Sequence, residues 1–321
     1  MRTALSIEAP CKINLHLRVK GRRSDGFHEL ESIFLALAYG DTLHFELGDA
    51  GGADEFLVED KRPRLGEEIP REGNIVLKAL DLFRVRSGLD RPLRIRLEKR
   101  IPLGAGLGGG SSDGASTLLA LNELAGTPFD KTGLLQAAAE LGSDVPFFLL
   151  GGAAYVTGRG EHIRPIEGPP EFEVVLVNPG FPSNTAKAFR LLDAHREAVS
   201  IEGKLHGKAE LSEQSLVDAL KGSPSRWPYG NDFLELFLAE DCPDSSPAKD
   251  AYRAILGRLQ DQGADFCGLT GSGSTCFGIF TQGGAAEKAV KSFRTDKSVS
   301  GPGVFTLLTF PLARLPNRVL I

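Results

Sequence analysis

Apolar residues fall on every second position from Ser6 to Val19, with Ile13, Leu15, Leu17 and Val19 in step. That period predicts a half-buried strand. Gly21 to Gly26 is charged and glycine-rich and predicts a turn; His28 to Ala38 then returns as an apolar segment, and Thr42 to Leu47 alternates again. Residues 48–73 carry Gly, Asp, Pro and Arg throughout and predict a loop. Ile75, Val76, Leu77, Leu80, Leu82 and Phe83 follow a helical period, with Asn74 placed to cap it. In Arg91 to Arg100, Leu93, Ile95 and Leu97 alternate with Arg94, Arg96 and Glu98. This predicts a strand with a solvated basic face, not a nucleic-acid surface.

Further on, a glycine-rich segment leads into a helix carrying Leu118, Leu119, Leu121 and Leu124 and ending near Ala125. A helix over Lys131–Leu141 and a short strand over Ala153–Thr157 follow. Gly168-Pro169-Pro170 is a stiff join and predicts a boundary between residues 1–168 and 169–321. Beyond it, strands are expected at Glu173–Asn178, Phe266–Thr270, Thr275–Thr281 and Val304–Thr309. Helices are expected at 184–193, 211–220, 231–239, 251–262 and 287–293. Strands and helices mix without a strict βαβ rhythm, so the class is α+β.

Composition narrows the function classes. A chain of 321 residues, 41% hydrophobic and 25% charged, has room for two domains with real cores. The net charge of −5 argues against bulk attraction to nucleic acid or an anionic membrane. No apolar run approaches the length of a membrane span, and Met1 to Pro10 lacks a signal-peptide core. Cys11, Cys242, Cys267 and Cys276 form no Cys-x-x-Cys pair, so they read as reduced thiols in a cytoplasmic protein, with no metal site expected.

The most informative stretch is Ile101-Pro102-Leu103-Gly104-Ala105-Gly106-Leu107-Gly108-Gly109-Gly110-Ser111-Ser112-Asp113. A bare-backbone loop feeding a helix N-terminus is an anion pocket, because unpaired N–H groups and the helix dipole point outward together. A Walker A loop would end in Gly-Lys-Ser/Thr, and there is no lysine here. Gly104, Gly106 and Gly109 satisfy the dinucleotide spacing literally, but the acidic residue at the right distance, Glu123, lies within the helical pattern. A flexible linker is not normally flanked by a strand and an apolar helix.

Other segments carry candidate chemistry. Lys12 and Asn14 lie two apart on a strand and share a face, opposite Cys11, Ile13 and Leu15. They suit a hydroxyl and its developing charge; taken alone, an exposed strand face fits equally well. Asp144, between a helix end and Pro146-Phe147-Phe148, is a candidate general base with Lys12 as its cation, or simply a turn cap. Phe27 and His28 follow a tight turn and could stack on and read a nucleobase, or form a plain surface turn. Gly271-Ser272-Gly273-Ser274 is a second Gly/Ser turn that could close over phosphates or be a hairpin turn.

Together, Ala-Pro-x-Lys-Ile-Asn-Leu, Asp-Gly-Phe-His-Glu-Leu, Pro-x-Gly-x-Gly-Leu-Gly-Gly-Gly-Ser-Ser and Asp-Val-Pro-Phe-Phe, in this order, resemble the galactokinase–homoserine kinase–mevalonate kinase–phosphomevalonate kinase superfamily. The resemblance covers nearly the whole chain and is nearest to the branch acting on cytidine-diphosphate-linked methylerythritol in the non-mevalonate isoprenoid route. It departs at Cys11, where alanine is usual, at Phe27, usually tyrosine, and at Ala105, often glycine. It implies a two-domain α+β small-molecule kinase whose N-terminal domain resembles the second domain of ribosomal protein S5. Residues 1–168 would bind ATP and 169–321 would form the substrate side.

It further implies that Asp144 deprotonates the substrate hydroxyl and that Lys12 holds Asp144 ionised. Pro102, Gly104, Gly106, Leu107, Gly108, Gly109 and Gly110 would cradle the ATP phosphates, with Ser111 and Ser112 near Mg2+. The adenine would lie against Asn74 to Leu77 and near Lys99. Phe27 and Phe189 would sandwich the cytosine, His28 would read its edge, and Asn14 and Thr185 would hold the methylerythritol arm. Asp113 is not assigned to the metal, since the family often has asparagine there. Expected partners are the small-molecule substrate alone, with the chain a monomer or weak homodimer. Another kinase of the superfamily and a non-catalytic nucleotide-binding module are the alternatives.

Overall fold

The computed structural model describes residues 3–63, 69–167, 171–201, 211–240, 242, 246–295 and 303–313. The alternating N-terminal segment is one long strand, β1 (Ala4–Arg22), paired antiparallel with β2 (His28–Leu47). The two apolar segments expected after the first turn are thus one continuous strand, whose pairing with β1 shifts register between Pro10 and Cys11, Asn14 and His16, and Val19 and Gly21. The stretch expected to be loop contains β3 (Glu55–Asp60), which runs parallel to β4 (Leu93–Lys99). Three acidic residues in six hide its alternation, although Phe56 and Val58 pack on the core.

Helix α1 (Ile75–Ser87) starts where the period predicted, with the Asn74 side chain accepting from the Val76 N–H at 3.0 Å. Next come α2 (Gly109–Leu124), α3 (Lys131–Leu141), the single turn α4 (Phe147–Leu150), β5 (Ala153–Gly158) and β6 (His162–Ile166). The strand β6 was not expected; it contains Pro165, which an edge position tolerates. The second half holds β7 (Glu173–Pro179), α5 (Thr185–Ile201), α6 (Glu213–Ala219), α7 (Asp232–Leu238) and α8 (Ser246–Asp261). It ends with β8 (Phe266–Leu269), β9 (Cys276–Phe280), α9 (Ala285–Thr295) and β10 (Val304–Thr309).

Among the described residues the strands form two sheets. One has the order β3-β4-β2-β5-β6 with β1 beside β2; the other has the order β10-β7-β9-β8. The first draws only on residues up to 166 and the second only on residues from 173. The boundary expected at Gly168-Pro169-Pro170 lies outside the described residues. No helix among the described residues is long and apolar enough to cross a membrane.

The strand β1 serves three cores in turn, and this positions the site. Leu5, Ile7 and Ala9 pack with α1–α4, whereas Cys11, Ile13 and Leu15 pack toward the second sheet with Leu176 and Phe277. Leu17 and Val19 join a third cluster with α5, α7 and α8. The shift between Pro10 and Cys11 changes which face of the strand meets the helices. Lys12 and Asn14 pair with Ala36 and Phe34, whose side chains lie on the helix side. Two polar side chains are thereby buried beside the start of α2.

Candidate active site

The glycine loop runs from β4 into α2 and is fastened at several points. Leu107 is buried in the second core, and its carbonyl accepts from the Lys12 N–H at 2.9 Å. The Gly104 carbonyl accepts from the Ser183 N–H at 2.8 Å. Gly106 has φ +75°, and a Cβ there would lie 2.2 Å from the Thr270 carbonyl oxygen. Gly108 caps α2 in the left-handed region, and a Cβ there would strike the Phe148 ring at 2.8 Å. No side chain caps this helix, so its first-turn N–H groups remain available to an anion. Gly110 is exposed, and Ser111 is half-buried beside it.

Beneath the loop, Lys99 bridges two carboxylates. Its ammonium donates to Asp41 and to Asp113, the latter at 2.6 Å, and all three residues are buried. Asp41 in turn accepts from the N–H groups of Arg100 and Ile101, at 2.5 and 2.8 Å, where the loop begins. Burial works to lower the Lys99 pKa, but the two carboxylates outweigh it and hold it above the ordinary lysine value. Lys99 therefore braces the loop from within and is not presented to a ligand. Ser112, expected near a metal, is also fully buried, and its Oγ has no hydrogen-bond partner among the described residues.

Lys12 Nζ lies 3.6 Å from Asp144 Oδ2, donates to Asn14 Oδ1 at 2.6 Å, and sits 4.3 Å from the centre of the Phe34 ring. Burial lowers the Lys12 pKa, and the Asp144 carboxylate opposes that shift. Asp144 follows the C-cap of α3, and a third of its side chain is exposed, so one carboxylate reaches both the buried ammonium and the open cleft.

Asn14 is more heavily engaged than a substrate-holding role suggests. Its Oδ1 also accepts from the Gly271 N–H at 2.9 Å, and its amide donates to Ser32 Oγ at 2.9 Å. It joins β1 to the second Gly/Ser turn, which itself lies against the glycine loop through Thr270 Oγ1 donating to the Gly106 carbonyl at 2.9 Å. Thr185 Oγ1 is 3.1 Å from Ser272 Oγ. That turn is thus part of the site and not an isolated hairpin.

A cleft of about 780 Å³ gathers Lys12, Asn14, Phe27, His28, Gly106, Gly108, Asp144, Thr185 and Phe189 along its walls. Asn74, Lys99, Pro102, Gly104, Leu107, Gly109, Gly110, Ser111 and Ser112 are not among its lining residues. His28 stacks on Phe189, with ring centroids 4.5 Å apart, and its Nε2 meets the Asp193 carboxylate at 2.8 Å. Phe27 is exposed, with the Arg159 guanidinium 4.7 Å above its ring. The Phe27–Phe189 sandwich is therefore not closed: the imidazole itself covers Phe189.

Sequence reasoning missed Arg22, Arg159, Arg190 and Asp193, all of which line the cleft. Asp193 had a signal, since it lies one helical turn beyond Phe189. The arginines had none, because nothing in their local sequence separates them from the many surface arginines. Among the described residues no group of three or more His, Cys, Asp or Glu is placed to hold a metal ion. Cys11 is fully buried; burial pushes its thiol well above the ordinary range, with the Asp41 charge adding to the effect, so it is not a reactive group.

Comparisons with known proteins show the family of the chain. Residues 74–152 match the GHMP kinases N terminal domain and residues 233–297 the GHMP kinases C terminal family. A 4-diphosphocytidyl-2-C-methyl-D-erythritol kinase of Anaeromyxobacter dehalogenans is 37% identical over 96% of this chain and 91% of its own length. The chloroplastic enzyme of that name from Oryza sativa is 37% identical over 86% of this chain and 65% of its own. A crystal structure of 4-(cytidine 5'-diphospho)-2C-methyl-D-erythritol kinase superposes with a TM-score of 0.73 at 29% identity, over 95% of this chain and 98% of that one.

Proposed function

The chain belongs to the 4-diphosphocytidyl-2-C-methyl-D-erythritol kinases of the GHMP kinase family, and from that membership we propose how its cleft carries out the reaction. The reaction is phosphorylation of the 2-hydroxyl of 4-diphosphocytidyl-2-C-methyl-D-erythritol, with ATP as donor. The observation that carries the mechanism is the Lys12–Asp144 pair, 3.6 Å apart, at the end of the cleft where Gly106 and Gly108 meet α2.

Asp144 takes the hydroxyl proton. The oxygen forms the new bond to the γ-phosphorus as the bond from that phosphorus to the bridging oxygen of ADP breaks. Lys12 stabilises the charge on the attacking oxygen from a buried, dry position where an ammonium acts strongly. Phosphoryl transfer of this kind is mostly positioning and electrostatics.

The uncapped first turn of α2 and the bare backbone of Gly108–Gly110 suit the ATP phosphates, and Ser111 is the hydroxyl available near Mg2+. Mg2+ would neutralise phosphate charge, carried chiefly by the nucleotide's own oxygens. Phe27 and His28 would take the cytosine at the far end, Thr185 the methylerythritol arm, and Arg22, Arg159 and Arg190 suit the diphosphate between them. Asn74, at the start of α1, remains the candidate edge of the adenine site. We read residues 1–168 as the ATP-binding domain and 169–321 as the substrate-side domain. The chain is further read as a cytoplasmic monomer or weak homodimer acting on a small molecule alone.

The test is ADP release with the cytidine compound, homoserine and mevalonate as acceptors. Turnover is expected with the cytidine compound. Turnover with homoserine or mevalonate and none with the cytidine compound would overturn the reading.

A further inference from the structure

Resting on the reading that the outer end of the cleft takes a cytosine, we propose that Asp193 is a positioning residue that sets base selectivity by fixing the tautomer of His28. The helix α5 holds this imidazole twice. Phe189 stacks on its face, with ring planes inclined by 22°, and Asp193, one turn further along, takes its edge. The two carboxylate oxygens lie 2.8 and 3.1 Å from Nε2.

A carboxylate oxygen accepts from a ring N–H, so Nε2 carries a proton and donates it to Asp193. In the singly protonated ring the other nitrogen, Nδ1, then keeps its lone pair. The Nε2–Asp193 contact takes up one edge of a ring that lines the cleft, which leaves Nδ1 as the nitrogen available to a ligand.

Cytosine and uracil differ at C4, where one carries an amino donor and the other a carbonyl acceptor. A lone pair at Nδ1 accepts from the cytosine amine. Against uracil it would set acceptor against acceptor and leave that pair of groups unbonded. Without Asp193 the ring proton could reside on either nitrogen, and His28 could accommodate both bases.

Steady-state kinetics with the cytidine compound and its uridine counterpart test this, using wild type, Asp193→Asn, Asp193→Ala and Asp193→Glu. In the Asn and Ala variants the KM for the cytidine compound should rise roughly 10-fold with a smaller change in kcat, and the cytidine-to-uridine ratio of kcat/KM should fall roughly 10- to 100-fold, the worth of one base-edge hydrogen bond. The Glu variant should recover part of the ratio.

Nitrogen-15 NMR of the unliganded wild type should give the Nε2–H tautomer for His28. That measurement does not depend on whether any variant folds or on which substrate is used. An unchanged ratio in both the Asn and Ala variants, or an Nδ1–H tautomer in the wild type, would overturn the proposal. A wild type inert toward both nucleotide compounds would instead overturn the substrate reading, with the NMR result still deciding the tautomer.

Discussion

Gly106 and Thr270 meet backbone to backbone: a Cβ on Gly106 would lie 2.2 Å from the Thr270 carbonyl oxygen, and Thr270 Oγ1 donates to the Gly106 carbonyl at 2.9 Å. One residue belongs to the glycine loop and the other directly follows β8 of the second sheet. The glycine loop therefore takes part of its shape from the far half of the chain, and the two halves are held in register beside the proposed site.

The first prediction follows directly. Gly106→Ala must both adopt φ +75° and push back two backbone segments, because the Gly273 carbonyl is also 2.8 Å from the new Cβ. A loss of about 1–3 kcal/mol in stability is expected from overpacking. A marked rise in the KM for ATP should accompany it. Chemical denaturation and nucleotide titration measure the two effects. Near-wild-type values for both would show that the loop does not depend on this contact.

Asp144→Asn removes the proposed proton acceptor while keeping its shape. A fall in kcat of roughly 10²- to 10⁴-fold is expected, the usual worth of general-base catalysis, with ATP binding preserved. Lys12→Met should cost a similar amount, because in the proposed mechanism the ammonium and the carboxylate act on the same oxygen. If they act as a unit, the double variant should be little worse than either single variant. Multiplying losses would indicate separate roles.

The glycine loop, the Lys12–Asn14 face and Asp144 were legible in the sequence because each rests on local rules. Glycine marks a loop free of side chains, a strand places alternate residues on one face, and Asp144 stands between the end of one helix and Pro146. What the sequence could not show was long-range. That Lys99 would be spent on Asp41 and Asp113 depends on a pairing between residues 58 positions apart. That Asn14 would be engaged by Gly271 depends on one 257 positions apart. The strand β3 was hidden because three acidic residues on an edge look like loop composition, and β6 because its proline reads as a breaker unless the strand is known to be an edge. The stacking of His28 on Phe189 required knowing that α5 lies against the start of β2.

Phe27 offers an exposed ring at the mouth of the cleft, with the Arg159 guanidinium over it. If a base displaces or extends that stack, Phe27→Ala should raise the KM for the cytidine compound by about 10- to 100-fold, equivalent to ~1–3 kcal/mol of stacking. The KM for ATP should stay within about two-fold, because the ring contributes to the base end only. Equal effects on both substrates would point to a general disturbance of the turn at Asp25–Phe27.

The buried set beneath the loop predicts a pH dependence of stability. Lys99 serves two carboxylates, so the group of three carries an excess negative charge out of water. Burial, reinforced by the neighbouring Asp41, raises Asp113 well above the ordinary carboxylate range, and Lys99 only partly offsets this. The folded chain therefore keeps a proton on Asp113 at pH values where the unfolded chain has released it. Above the unfolded value, near pH ~4, the folded state binds more protons, so this residue's contribution makes stability fall as pH rises through the folded value. Asp113→Asn is neutral at every pH, and its amide can donate to Asp41 where the carboxyl proton did. The variant should thus be more stable than wild type at neutral pH, by roughly 1–3 kcal/mol, the usual cost of an imperfectly satisfied buried polar group. That margin should shrink toward zero as the pH approaches ~4, where both side chains are uncharged. Urea denaturation of both proteins at several pH values between these limits measures the margin. A margin that is constant with pH, or that widens toward acid, would mean that Asp113 is ionised in the folded chain and that Lys99 balances it fully.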